Sequence, residues 1–87
     1  MSDHKRKDVS RRIAKIYGHV HGIAEMLDEG RPYSEIVHQI SAVRASLDSV
    51  TQVIVDDLVE DCVGKAAAKK PVAGSLEELQ RVMAEIR

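Results

Sequence analysis

Eighty-seven residues suffice for a single domain, 1–87, but a lone chain of this length buries only about 60% of its unfolded surface and so has a marginal core. With no Phe, no Trp and two Tyr, aromatic mass does not make up the deficit, and the single cysteine, Cys62, excludes an internal disulfide framework. No apolar run approaches the ~20 residues that cross a bilayer and the opening MSDHKRKD is no signal peptide, so the expectation is a cytoplasmic homo-oligomer without a membrane role.

The net charge of −1 conceals a strong segregation. Residues 1–22 carry six basic side chains (Lys5, Arg6, Lys7, Arg11, Arg12, Lys15) against Asp3 and Asp8, whereas residues 45–63 carry five acids and no Lys or Arg. From Val9 onward, apolar residues fall at Ile13, Ile16, Val20, Ile23 and Leu27 in alternating steps of four and three, which predicts a first helix over about 6–29. Asp8 or Ser10 is the expected opening residue, and Gly30-Arg31-Pro32 closes the helix. Gly18 and Gly22 inside it read as places of close helix packing.

A second stripe runs through Tyr33, Ile36, Ile40, Val43, Leu47, Val50, Ile54, Leu58 and Cys62, again in threes and fours, and predicts a helix over about 33–63 that Gly64 stops. Val37, Ala42, Val53, Val55 and Val59 widen its apolar face beyond what one facing helix covers. Residues 64–74 then read as a flexible connector. Ser75 with Glu78 three residues on matches a capping box, opening a third helix over about 75–86. The fold class is all-α: a three-helix protomer, two long helices in a hairpin and a short third, whose wide apolar face pairs with a second copy in a four-helix bundle.

No catalytic constellation is present: there is no GxSxG, P-loop or HExxH, and the helical stripes bring no Ser–His–Asp set together, so the chain is not read as an enzyme. The basic stretch carries more information. Lys7, Arg11 and Lys15 are spaced four apart with Arg12 beside them, so they line one flank of the first helix, and His19 and Arg44 are candidates to extend it. Cations on a rigid helix suit phosphate contact, which favours double-stranded DNA as partner. The alternative is a helical oligomeric interaction module without operator binding, for which that cationic flank serves no purpose.

Within this pattern, the segment Arg11–Val50, continuing to DDLVEDCV at 56–63, resembles the copper-sensitive operon repressors and their nickel/cobalt- and formaldehyde-responsive relatives over roughly residues 5–86. The most specific parts are R-x5-G-H-x2-G-I at Arg12–Ile23 and QISAVRASL at Gln39–Leu47. The resemblance implies a four-helix-bundle dimer that pairs again into a flat tetramer, a dimer of dimers, and a transcriptional repressor that an effector releases from operator DNA. It places Arg12 on the family's best-attested DNA-contacting position, with Arg11, Lys15 and Arg44 as helpers.

The effector site departs from that family. Its copper members use a Cys at the start of the second helix and a His and a Cys four apart near the end of the partner's second helix, a soft donor set for Cu(I). The resemblance maps those positions to Tyr33, Leu58 and Cys62, and only Cys62 keeps a ligand. Cu(I) sensing of the usual kind is therefore disfavoured, as is formaldehyde or persulfide chemistry that needs the missing cysteine, and a repressor of this family that has lost metal sensing is a further alternative. Cys62 itself reads either as a metal ligand or as a small buried hydrophobe. His4 offers another route: with Met1 removed, Ser2-Asp3-His4 supplies an amine, two amides and an imidazole suited to a divalent transition metal, Ni(II) or Cu(II). The competing reading is an ordinary exposed terminal histidine.

Overall fold

Three helices form, and no strand occurs among the described residues. The computed structural model describes residues 1–86, with α1 at Asp3–Asp28, α2 at Tyr33–Ala67 and α3 at Ala73–Glu85. The chain divides into two units, one of Ser2–Thr51 and one from Gln52 onward with Met1.

In the first unit, α1 and the leading part of α2 close as a hairpin on Ile23, Ile36 and Val43, with Ile16 and Met26 packed against them. Residues seven apart lie almost above one another along a helix, so each stripe is two adjacent apolar lines. The hairpin covers one line of each: Ile16 and Ile23 from α1, and Ile36, Val43 and Val50 from α2. The other lines, Ile13, Val20 and Leu27 with Ile40 and Leu47, remain 43% to 58% exposed. Gly18 and Gly22 do not mark close packing within the protomer, since a Cβ added at either meets nothing within 4 Å.

Helix α1 begins earlier than position 6 because Ser2, not Asp8 or Ser10, is its cap: the Ser2 Oγ accepts from the Lys5 N–H at 3.2 Å, and Asp3 sits in the positive first turn. Its end follows the sequence closely. The Arg31 N–H donates to the Met26 carbonyl and the Gly30 N–H to that of Leu27, both at 3.1 Å, with Gly30 at φ +70°. This is a Schellman ending with glycine in the left-handed position.

In the second unit, α2 does not stop at Gly64 but runs to Ala67, for 35 residues in all. The Gly cost of about 1 kcal/mol is outweighed by the helix formers Lys65, Ala66 and Ala67 that follow. The same Schellman pattern ends it: Lys70 N–H to the Lys65 carbonyl at 2.9 Å and Lys69 N–H to that of Ala66 at 3.1 Å, with Lys69 at φ 56°. The connector is thus confined to 68–72, and α3 starts at Ala73 rather than Ser75.

Ser75 is not a cap. It lies buried in the first turn of α3, where its hydroxyl donates to Asp61 Oδ2 at 2.7 Å and accepts from Lys65 Nζ at 2.6 Å. Lys65 Nζ also lies 3.0 Å from the same carboxylate oxygen, and Glu78, the supposed box partner, pairs with Arg81 at 3.2 Å. The Ser75 hydrogen bond, followed by that from Lys65, holds the Asp61 carboxyl below its ordinary value of 3.8 against a small opposing desolvation. This three-residue network, with buried Cys62 beside it in sequence, fixes α3 on α2.

Lys69→Gly removes the left-handed penalty and should stabilise the protein by about 0.5–1 kcal/mol, while Gly30→Ala should cost about 1–2 kcal/mol, both read by denaturant melts. Because the Asp61 pKa is depressed in the folded state, its contribution is present above pH 3.8 and lost as pH falls below it. Amide protection factors in α3, taken relative to the intrinsic rate at each pH, should therefore fall on acidification in the wild type, and Ser75→Ala should already show lower protection at neutral pH and respond less to acid.

Candidate nucleic-acid interface and effector residues

The register that closes the hairpin also builds its most polar opening. Positions 12, 16, 19, 23 and 26 of α1 alternate four and three, so Arg12 occupies the seam position one step before Ile16. A cation there cannot complete an aliphatic core. The seam opens into a cleft of about 440 Å³ lined by Arg12, Lys15 and Ile16 from α1 and by Ser46, Ser49 and Val50 from α2. Val50 is buried beneath it.

Arg12 is held from below by Asp8, its Nε donating to Asp8 Oδ2 at 3.1 Å along one turn of α1. Half of the Arg12 side chain stays exposed, and the pair engages only Nε, so the terminal nitrogens of the guanidinium face outward unspent. Arg11 and Lys15 are exposed, and among the described residues neither enters an ion pair or a side-chain hydrogen bond. Lys15 and Ile13, two residues apart, lie about 200° apart round α1, so the cationic flank and the uncovered apolar line occupy opposite sides of the helix.

Two candidate extensions of this flank do not join it. Arg44 is exposed on α2, but it lies two positions before Ser46, about 200° round the axis, and faces away from the cleft. His19 turns into the hairpin, with Nε2 at 2.6 Å from Gln39 Oε1, whereas His21 pairs with Glu25 at 3.2 Å on the outer surface. The cleft instead recruits Ser46 and Ser49, which sequence reading did not single out. Extending the α1 register past Ile16 and the α2 register to Val50 would have found them.

The effector candidates stand apart. Tyr33 opens α2 and is 85% exposed, Leu58 is half-buried, and Cys62 is buried with a free thiol. Tyr33 belongs to the first unit, and Leu58 and Cys62 to the second. His4 is exposed in the first turn of α1, where the N–H groups of Asp3 and His4 precede the intrahelical ladder. Among the described residues no group of three His, Cys, Asp or Glu side chains is placed to hold a metal ion. Within a protomer, the residues present do not fit a three-ligand metal centre. Nor is any helix among the described residues long and apolar enough to cross a membrane.

Comparison with known proteins agrees with this architecture. The metal-sensitive transcriptional repressor family model matches residues 5–86. The copper-sensing transcriptional repressor RicR of Mycobacterium tuberculosis is 32% identical over 65 residues, covering 75% of this chain and 68% of its own. The copper-sensing repressor CsoR of Bacillus subtilis is 33% identical over 76 residues, covering 86% of this chain and 75% of its own. CsoR of M. tuberculosis is 29% identical over 75 residues, or 86% of this chain, and the chain spans 63% of that relative's length. Among solved structures, the nickel-responsive transcriptional regulator InrS superimposes with a TM-score of 0.83 at 33% identity, over 93% of this chain and 91% of that one. With its all-helical hairpin, its cationic α1 flank and a match that spans nearly its whole length, the chain belongs to the metal-sensitive transcriptional repressor family.

Proposed function

We propose that the protein represses transcription by binding operator DNA as a homo-oligomer and leaves that DNA when an effector binds. The observation that carries this reading is the cation-lined opening of the α1–α2 seam, set on the side of α1 opposite the uncovered apolar line. Arg12 and Lys15, with Arg11 on the same flank, meet the DNA; Arg44 lies outside this surface in the protomer and is at most a contact made from elsewhere in the assembly. A second copy covers Ile13, Val20, Leu27, Ile40 and Leu47 as a four-helix-bundle dimer, and two dimers join as a tetramer. The relatives' names, repressors and regulators throughout, support a cytoplasmic, non-enzymatic role.

For the effector, relatives named as copper-sensing and nickel-responsive support a transition metal. Tyr33 and Leu58 argue against a three-ligand Cu(I) centre built on Cys62, since neither supplies a donor suited to a soft ion at neutral pH. A divalent Ni(II) or Cu(II) ion held by His4 and backbone amides of the first turn of α1 is the reading favoured here. The first turn cannot both stay capped by Ser2 and wrap a metal, so binding would unwind the start of the helix that carries the cationic flank. Release then needs only that the two conformations differ in DNA affinity.

A gel-shift titration with the duplex upstream of the chain's own coding sequence tests both parts. Arg12→Ala should weaken binding by about 1–3 kcal/mol, or lower the salt slope by about one if the contact is to phosphate. Unchanged affinity and salt dependence would remove the cationic flank from the interface. Added Ni(II) or Cu(II) should release the wild-type complex and leave the His4→Ala complex bound; if release instead requires Cys62 and ignores His4, the metal assignment fails.

A further inference from the structure

The α2 wall of the cleft has no role in a reading that assigns DNA contact to α1 alone. Ser46 and Ser49 stand three residues apart on α2, facing Arg12 and Lys15 across the opening. Among the described residues neither hydroxyl takes part in a side-chain hydrogen bond, so both are free to donate. The floor, Ile16 and Val50, is apolar and offers a ligand nothing polar. A cleft with two cations on one wall, two free hydroxyls on the other and an apolar floor suits a compact oxyanion that accepts from both sides.

We propose that this cleft seats a backbone phosphate of bound duplex DNA, with Ser46 and Ser49 donating to its oxygens beside the Arg12 guanidinium and the Lys15 ammonium. The inference rests on the DNA-binding reading above and adds neutral donors from α2 to the cations of α1. Serine side chains are short, and these two line the cleft opposite Arg12 and Lys15, Ser46 half-buried and Ser49 exposed at its rim, so a group seated between the two walls reaches both. A phosphate projecting from the DNA backbone does so; a base edge lying within a groove does not. Asp8 acts as a positioning residue, fixing Arg12 through Nε while the terminal nitrogens stay available. The site is composite, so any change that slides or rotates α2 against α1 alters the hold on phosphate without touching a cation.

The test compares full-length wild type with Ser46→Ala/Ser49→Ala on two probes, the upstream duplex and an unrelated duplex of equal length at low salt. Alanine is a better helix former than serine, and circular dichroism with light scattering verifies that fold and assembly are kept. The double variant should lose about tenfold or more in affinity for both duplexes alike, with the salt slope unchanged, because the lost donors are neutral. Lys15→Gln should lower that slope by about one. Ser49→Asp, which sets a carboxylate where the phosphate lies, should weaken both complexes further than the double alanine variant.

Loss confined to the upstream duplex would mean that the serines read bases and would overturn the phosphate assignment. No loss on either duplex, while Arg12→Ala still weakens binding, would overturn the inference and leave the DNA-binding reading standing. A wild type that binds neither duplex would overturn both.

Discussion

The covering of an apolar line by a facing helix decides what this chain becomes. Each long helix carries two adjacent lines, and the hairpin has surface to cover one. Among the described residues, no large side chain reaches complete burial, and the best-covered members of the core, Ile36 and Val50, still keep 6% and 5% of their surface. The five aliphatic residues of the uncovered lines are each about half exposed. Finishing their burial is worth on the order of 1 kcal/mol apiece, or about 5 kcal/mol per protomer, a sum comparable with the whole stability of a small domain. The uncovered lines are therefore a constraint on assembly, and everything attached to the hairpin inherits its register.

The cleft is one such inheritance. The periodicity that sets Ile16 and Ile23 against α2 also sets Arg12 there, and a cation in a seam position opens the hairpin instead of sealing it. Asp8 reconciles the charge with its surroundings by a single exposed ion pair, which contributes little to stability but keeps the guanidinium aimed. On the far side of α1, the neighbouring line remains apolar. One helix thus divides its circumference into a face covered by α2, an uncovered apolar face and an exposed cationic face. The third helix is also held to α2 by the polar contacts of Ser75, Asp61 and Lys65.

Helix identity, order and the hairpin were legible because a 3.6-residue period sustained over many turns has few other solutions, and Gly30 with Pro32 punctuates it strongly. The boundaries were less so, for reasons that lie in local backbone hydrogen bonding. Ser2 takes the capping role because its hydroxyl reaches the Lys5 N–H, and no pattern distinguishes that from Asp8 or Ser10 in advance. Gly64 looks like a stop only while the helix formers after it are ignored, and the true stop places Lys69 where glycine is usual. Ser75 has the spacing of a cap but a tertiary partner in Asp61, and such a partner is invisible to spacing. For the candidate site, the cationic flank of Arg11, Arg12 and Lys15 was legible from spacing. Arg44 lies on the other side of α2 from the cleft, which spacing along α1 does not reveal, and Ser46 and Ser49 leave no mark in a charge pattern because they are neutral.

The central claim is that a second copy of the chain completes the hairpin. Light scattering of the full chain at micromolar concentration measures it directly, with Leu47→Glu, which sets a carboxylate on the uncovered line of α2, as the companion. The account predicts a tetramer, or at the least a dimer, for the wild type, and dissociation with loss of helicity for the variant. A wild-type protein that is monomeric, fully helical and stable under those conditions would contradict it.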